Sequence, residues 1–159
     1  FFFTADDHER LIHKPKPFAD EAVPAGNGIA AIALARLGHI VGEQRYVEAA
    51  EGTILAALHA IERYPEGHAT LLLALEEALL PPEIVVVRGT ESEIAAWRRV
   101  LRGGYTQRRL AFAIPSNANL SGLLAERVTR PGGVAYVCSG MTCRAPIANP
   151  EELAAALAS

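Results

Sequence analysis

Cysteine is scarce in this chain, with two residues among 159. Two cysteines cannot form the disulfide framework that stabilises small secreted domains, and the first residues lack the pattern of a secretory signal peptide. We therefore expect a cytoplasmic protein. The sequence also begins with Phe1-Phe2-Phe3 and has no initiating methionine, which predicts that it is a piece of a longer chain.

Excess positive charge and long apolar runs are missing as well. Fifteen Lys and Arg residues against eighteen Asp and Glu residues give a net charge of −3, so we expect no nucleic-acid partner. An uncharged run such as residues 22–35 is interrupted by proline and glycine and is too short to span a bilayer, so we expect no membrane span. Neither G-x-x-x-x-G-K-[ST] nor G-x-G-x-x-G is present, and the sequence predicts no cofactor.

An apolar helix is predicted near the start of the chain. Asn27 is a favourable N-cap residue, residues 28–37 are apolar nearly all round, and Gly38 lies near the predicted end. Such a helix must be covered on most sides. This pattern favours a structural or interaction module that has no chemistry of its own and that associates with itself as a homo-oligomer or with a missing companion segment.

Two further helices complete a helical region that we assign to residues 1–82. One is predicted over residues 44–63, where apolar residues recur at steps of three and four, and the other over residues 66–80. Pro81 and Pro82 end the last helix because proline lacks the backbone N–H that the helix needs. Short connections between the three helices predict antiparallel helical hairpins.

Strands and helices alternate in the second region, residues 83–159. The predicted strands cover residues 83–88, 110–114 and 134–138, and the predicted helices cover residues 91–102, 120–127 and 150–158. Thr90 and Glu93 form a capping box before the first of these helices. The alternation predicts a small three-stranded parallel βαβαβα layer, and the fold class is mixed α and α/β.

Two segments of the chain resemble one known family. The motifs are Thr4-Ala5-Asp6-Asp7-His8-Glu9, Lys14-Pro15-Lys16, Asp20 and Pro24-Ala25-Gly26-Asn27-Gly28 near the start, and Ala135-Tyr136-Val137-Cys138 with Thr142-Cys143-Arg144-Ala145-Pro146 near the end. In kind and order they are similar to the thioredoxin-domain-containing proteins of the spermatogenesis-associated and bacterial YyaL-like type. The resemblance implies closing hairpins of an α/α toroid like that of six-hairpin glycosidases, followed by a small α/β extension.

The resemblance also implies partners and candidate catalytic residues. The partners would be the missing N-terminal part of the parent chain and a saccharide held in the cavity of the toroid. Sugar-active toroids use paired carboxylates as acid and base, which makes Asp6, Asp7 and Asp20 the candidates, although a solvated charged loop explains the same residues. We expect no catalysis from the isolated chain, because a toroid builds its cavity from all of its hairpins.

Two ligand-binding candidates lie in the same N-terminal segment. Asn27 would provide a polar contact if the turn at residues 24–28 faces the cavity of a complete toroid. The turn also serves as a tight connection into a buried helix, and the same residues suit both roles. Lys16 is the second candidate, and it could instead hold Asp20 in a loop salt bridge.

Cys138 and Cys143 are candidates for thiol redox chemistry. Four residues separate them, so a redox pair, half of a metal site and two reduced thiols packed under a loop all remain open. The five histidines supply no recognised ligand spacing, and we assign no metal.

Overall fold

The computed structural model describes residues 1–2, 5, 7, 9, 12–104 and 106–158. The chain divides into two compact units, one of Phe1–Gly38 with Glu43–Leu80 and the other of His39–Gly42 with Pro81–Ser159. The fold class is mixed α/β, since helices build the first unit and a sheet with helices builds the second. None of the described helices combines the length and the apolar composition that crossing a bilayer requires.

The first unit contains three α-helices: α1 is Gly26–Val41, α2 is Gln44–Arg63 and α3 is Ala69–Leu79. A 3-10 turn, Pro65–His68, precedes α3, and the last turn of α1 belongs to the second unit. Small side chains let the three helices approach closely. Their shared buried cluster consists of Ala31, Ala35, Ala50, Ile54 and Ala74.

Two contacts fix α1 against α3. Gly28 lies against Thr70, where an added Cβ would come within 2.8 Å of the threonine Cγ2. Two turns further along both helices, the Arg36 guanidinium forms a forked ion pair with the buried Glu77 carboxylate. Contacts at matching positions mean that α1 and α3 run in the same direction, with α2 antiparallel to both.

Two details predicted for α1 are wrong. Asn27 is not the N-cap residue, because the helix already begins at Gly26 and the Asn27 side chain is buried. Gly38 does not end the helix either. It lies inside α1, where a Cβ would come within 2.6 Å of Val47 Cγ2, and the chain leaves the helix near Gly42 with a φ of +77°. The glycine at position 38 therefore permits close packing of α1 against α2.

Part of α1 is uncovered. Ile29 and Leu37 are 50% and 42% exposed, and Ala33 between them is exposed as well. Residues four apart lie on one face of a helix, so these three side chains form a continuous apolar stripe, which we call the α1 stripe.

The second unit is built around a sheet whose strands are β1, Glu83–Gly89; β2, Arg109–Pro115; β3, Val134–Ser139; and β4, Thr142–Cys143. Its helices are α4, Glu91–Arg102, and α5, Pro150–Ala158. The strand order is β2-β1-β3-β4. One face of the sheet packs under α4 and α5, with Trp97 and Leu153 in its core, and the other face buries Ile84, Val86 and Tyr136.

The predicted three-stranded parallel layer is wrong. The sheet has four strands and is mixed, because β1 pairs with β2 in parallel but with β3 antiparallel, and β4 adds antiparallel to β3. A third parallel strand needs a crossover element on one face of the sheet. The segment between β2 and β3 forms a 3-10 turn at Gly122–Leu124 where we predicted a helix, so it carries the chain back in the opposite direction.

The capping box predicted at the start of α4 is confirmed. The Thr90 hydroxyl accepts from the Glu93 backbone N–H, and the Glu93 carboxylate accepts from the Thr90 backbone N–H at 2.7 Å. The other Glu93 oxygen accepts from the Gly132 backbone N–H at 2.8 Å, which ties the turn before β3 to α4. These hydrogen bonds to the ionised form outweigh desolvation and hold the pKa of Glu93 below its usual value.

Candidate functional site: the Cys138–Cys143 pair

Cys138 and Cys143 form a disulfide between the end of β3 and β4. The two residues face each other directly in the antiparallel ladder, and the next pair along is joined by a bond from Arg144 N–H to Val137 C=O at 2.9 Å. The cysteines therefore occupy a non-hydrogen-bonded pair, where facing side chains come closest, and their Cα atoms lie 4.0 Å apart. Of the three states that the sequence left open, the structure contains the disulfide.

The two sulfurs differ in accessibility. Cys138 is 7% exposed, whereas Cys143 lies on an exposed two-residue strand at the edge of the sheet. Gly140 and the exposed Met141 form the tight turn that leads into this strand, and Gly140 has a φ of +56°. A reagent arriving from solvent therefore meets the sulfur of Cys143 first.

An arginine lies against both sulfurs. Arg127 Nη2 is 3.3 Å from the Cys138 Sγ and 3.1 Å from the Cys143 Sγ, and the guanidinium carbon is 5.3 Å from the centre of the Tyr136 ring. A cation at this distance favours the thiolate over the thiol, because it stabilises the negative charge that appears when the disulfide opens.

The loop that carries Arg127 is anchored on each side. The buried Arg88 of β1 donates from Nε to the Arg127 carbonyl oxygen at 3.1 Å and from Nη1 to the Pro115 carbonyl oxygen at 3.0 Å. Tyr136 Oη donates to the Val128 carbonyl oxygen at 2.8 Å. These bonds hold the backbone at Arg127 in place beside the sheet, within reach of the two sulfurs.

The pair borders a small cavity of about 150 Å³ within the second unit. Its wall is formed by His39, Ile40, Ile84, Val86, Leu123, Leu124, Arg127, Cys138, Gly140, Met141 and Cys143. Most of these lining side chains are apolar. Arg127 contributes a positive charge to the wall, and none of the lining residues is an aspartate or glutamate. The cavity thus has an apolar floor and one positively charged side beside the disulfide.

Arg127 is the residue of the candidate site that the sequence did not reveal. It precedes Cys138 by eleven residues and Cys143 by sixteen, and no short motif links the three. We predicted a helix over residues 120–127, and the irregular loop found there is what turns Arg127 toward the sheet.

The structure gives Asp20 a set of structural contacts. Its Oδ1 accepts from the Ala25 N–H at 2.7 Å and from the Thr70 hydroxyl at 2.6 Å, and its Oδ2 accepts from the Thr70 N–H at 2.8 Å. Burial raises the pKa of Asp20, but these hydrogen bonds and the charge of His68 outweigh it, so the pKa lies below its usual value. The carboxylate joins the N-terminal segment to the starts of α1 and α3.

The other candidates of the N-terminal segment are not gathered around Asp20. Asp7 is exposed in a turn, and Asp6 falls outside the described residues. Lys16 places its ammonium 4.3 Å from the centre of the Phe2 ring. A catalytic role for these aspartates stays a prediction.

Asn27 uses its side chain inside the first unit. Its Nδ2 donates to the Pro17 carbonyl oxygen at 2.8 Å and to the Phe1 carbonyl oxygen at 3.1 Å, and its Oδ1 accepts from the Phe1 amino group at 2.6 Å. Asn27 also borders an open cavity of about 530 Å³ between the N-terminal segment and the start of α1. Ligand binding by Asn27 would have to compete with these hydrogen bonds.

Within the described ranges, no three His, Cys, Asp or Glu side chains come together where they could hold a metal ion. Compared with protein-family models, curated proteins and solved structures, the chain shows no match to any of them.

Proposed function

We propose that this chain exchanges electrons with thiols through the Cys138–Cys143 disulfide. The observation that carries the proposal is the Arg127 guanidinium, which lies 3.3 and 3.1 Å from the two sulfurs while Cys143 is open to solvent. A disulfide that serves only as a staple needs neither a cation at its sulfurs nor an accessible edge. A redox couple uses both.

The unequal exposure of the sulfurs sets the order of the exchange. An incoming thiolate attacks Cys143 Sγ, its electron pair forms the new S–S bond, and the bond to Cys138 Sγ breaks. Cys138 leaves as a thiolate beside Arg127, with a mixed disulfide on Cys143. A second thiolate attacks the sulfur of the first reagent, which releases its disulfide and leaves Cys143 as a thiolate. Two thiols are oxidised, and one disulfide is reduced to two cysteines.

The fold tolerates both redox states because the disulfide closes a very short loop. The sequence separation of its cysteines is 5. Loop-closure entropy makes such a crosslink worth about 2 kcal/mol, compared with about 4.7 kcal/mol for a loop of a hundred residues. β3 also keeps its full pairing with β1 when the bond opens. Reduction should therefore release the β4 turn without unfolding the second unit.

The experiment is thiol counting by mass spectrometry after rapid alkylation, across a series of glutathione redox buffers. The chain has two cysteines, so every trapped thiol reports on this pair. We expect a two-electron transition with a midpoint potential above about −300 mV. Purely structural disulfides have potentials below this value, and labile ones have potentials above it. We also expect alkylation of Cys143 before Cys138 in the partly reduced protein.

The variants Cys138→Ser and Cys143→Ser assign the two steps. Cys138→Ser leaves the exposed cysteine and should still form a mixed disulfide with glutathione, whereas Cys143→Ser should form it far more slowly. A pair that stays oxidised in every buffer until the protein unfolds would make the disulfide structural and refute the proposal. Two thiols that stay reduced in every buffer would refute it as well.

A second candidate function belongs to the first unit, and the α1 stripe favours it. We propose that this unit is the closing part of an α/α toroid of the family that the sequence resembles, and that it forms one wall of a carbohydrate-binding cavity. The stripe of Ile29, Ala33 and Leu37 would then pack against neighbouring hairpins of the longer protein. Uncovered apolar side chains in a continuous row are typical of a surface that is buried in a larger assembly.

Light scattering and binding of the dye ANS test this second candidate. The chain by itself should bind ANS or self-associate, and the double variant Ile29→Gln/Leu37→Gln should reduce both effects. Leu55→Gln is the matched control, because Leu55 is an exposed leucine of α2 outside the stripe. A monodisperse monomer that binds no ANS, or an equal effect of the control, would count against the proposal.

A further inference from the structure

We infer that the disulfide site selects thiols that carry a carboxylate, with Arg127 as the residue that recognises the negative charge. The inference rests on the proposed thiol–disulfide exchange and names its substrate class. It concerns where the negative group of the reagent binds while the sulfur of the reagent attacks Cys143.

The donors of Arg127 are only partly used. Both of its contacts to the disulfide come from Nη2, and the guanidinium carbon lies 5.3 Å from the centre of the Tyr136 ring. Among the residues that the structure describes, none accepts a hydrogen bond from Arg127 Nη1 or Nε. The planar fork of a guanidinium matches a carboxylate, which it binds through two parallel hydrogen bonds.

The surroundings favour a negative charge at this place. The wall of the cavity contains Arg127 and no carboxylate, and its other lining side chains are mainly apolar. An ion pair is stronger beside apolar groups than in open water, because water screens it less. Arg144 follows Cys143 directly, but its Nη1 lies 3.5 Å from the Ala156 carbonyl oxygen of α5, away from the cavity.

Distance then limits the reagent. Arg127 Nη2 lies 3.1 Å from the sulfur under attack, so one or two carbons between the thiol and its carboxylate are enough for the carboxylate to reach the guanidinium. The small volume of the cavity, about 150 Å³, agrees with a short reagent. A short acidic thiol, or a cysteine whose own carboxylate is free, has this arrangement.

The test measures the rate of reduction of the oxidised protein by three two-carbon thiols: mercaptoacetate, 2-mercaptoethanol and cysteamine. They carry a negative, a neutral and a positive group beside the same reactive atom. Each rate is expressed per thiolate and divided by the rate of the same thiol on the disulfide of 2-mercaptoethanol, which removes differences in intrinsic reactivity. We expect the corrected rate to be about tenfold higher for mercaptoacetate than for cysteamine, and to fall with added salt.

Variants assign the preference to Arg127. Arg127→Met keeps the apolar stem, slows all three thiols by removing the charge beside the leaving Cys138, and should bring the mercaptoacetate to cysteamine ratio within about twofold of unity. Arg127→Lys should keep part of the ratio, because a point charge replaces the fork. Arg130→Met is the matched control, since Arg130 is an exposed arginine of the same loop, and its ratio should match the wild type.

The outcomes separate the inference from the function that it rests on. Reduction by all three thiols with a wild-type ratio near one overturns the carboxylate preference and leaves thiol exchange standing. A tenfold ratio that survives in Arg127→Met also overturns the inference, because the preference would then come from another group. A disulfide that none of the three thiols reduces refutes the exchange itself, and the inference falls with it. The ratio of the mercaptoacetate and cysteamine rates is measured on the wild-type protein. The inference can therefore be overturned even if a variant fails to fold.

Discussion

Replacing Asp20 with asparagine should destabilise the first unit strongly, although the change removes one charge and no bulk. The Asp20 carboxylate accepts hydrogen bonds from the Ala25 N–H, the Thr70 hydroxyl and the Thr70 N–H at 2.6 to 2.8 Å. Asparagine offers one acceptor oxygen and one NH2 donor. The donor would face a group that also donates, so at least one hydrogen bond is lost and a repulsive contact replaces it.

The size of the effect follows from these bonds. A hydrogen bond to a charged group contributes about 1.5 to 3 kcal/mol, and a donor left without an acceptor adds a cost of similar size when it is buried. Asp20 is half-buried, and solvent reduces the cost, so we expect a loss of about 2 to 3 kcal/mol at pH 7. With an m value between 1 and 2 kcal/mol/M, the midpoint of urea unfolding should fall by about 1 to 2 M.

The pH dependence provides an independent test of the same contacts. The pKa of Asp20 in the folded protein lies below its usual value of 3.8, so between the two pKa values the unfolded chain binds more protons. Stability from Asp20 is therefore complete above the unfolded pKa and is lost as the pH falls through the folded pKa. Asparagine resembles the protonated acid, so the gap between wild type and Asp20→Asn should narrow in acid.

Urea unfolding followed by circular dichroism at 222 nm measures both effects, because the helices of the first unit dominate this signal. Asp7→Asn is the control, since Asp7 is exposed in the same N-terminal segment and should change stability by less than about 0.5 kcal/mol. Equal stability of Asp20→Asn and wild type at pH 7 would refute the reasoning. A gap that persists unchanged in acid would show that lost packing, and not the carboxylate, causes the loss.

Two further pairs of variants test the packing, one pair in each unit. Gly133→Ala should cost about 2 to 3 kcal/mol, because φ is +86° and the new Cβ would lie 2.6 Å from Trp97 Nε1, whereas Gly132→Ala, with a φ of +82° and open space, should cost about 1 kcal/mol. Unfolding followed by the fluorescence of Trp97, the sole tryptophan, measures the stability of both variants. Equal losses of stability in the two variants would contradict the steric argument. Arg36→Met should cost about 3 kcal/mol by leaving Glu77 buried without its cation, and Arg36→Met/Glu77→Leu should recover most of that loss in a double-mutant cycle of urea unfolding. Additive losses would show that the ion pair is not the cause.

The helices and strands were predictable where a local signal marks them. The bounds of α2 and α4 match the prediction, because apolar periodicity defines the first and the Thr90–Glu93 capping box defines the second. Gly38 shows the limit of the same reasoning. A glycine near the end of an apolar stretch often marks a helix terminus. Gly38 instead lies inside α1, where Val47 packs too closely for a side chain, and the sequence alone does not show this contact.

Strand direction was not predictable from the strands themselves. The residues of β3 are buried on both faces, so they carry no alternation that would distinguish a central parallel strand from an antiparallel one. The connection decides the direction, and the loop over residues 116–133 forms one 3-10 turn in place of the crossover helix. β4 has two residues, both exposed, which is too short for any periodicity to reveal.

Of the candidate site, the two cysteines were predictable from the sequence and the arginine beside them was not. The sequence singled out Cys138 and Cys143 and left their oxidation state open, because pairing depends on the turn that sets them opposite each other. Arg127 could not be found, because its contact with the sulfurs depends on the path of the loop before β3, which no local sequence signal fixes. A site made by one strand pair and one loop is invisible to motif spacing until the fold around it is known.

The motif that carries the family resemblance near the start of the chain has a physical explanation that involves no substrate. Asp20 bonds to Thr70, Gly28 leaves room for Thr70, and Asn27 bonds to the Pro17 carbonyl, so the motif residues lock the N-terminal segment onto α1 and α3. Residues that interlock in this way are needed by any protein that keeps this arrangement, whatever it binds. In this chain the contacts of these motif residues are therefore structural. A catalytic acid or base needs a free lone pair or proton at the substrate, and hydrogen bonds from Ala25 and Thr70 already occupy three of the roughly four acceptor sites of the Asp20 carboxylate.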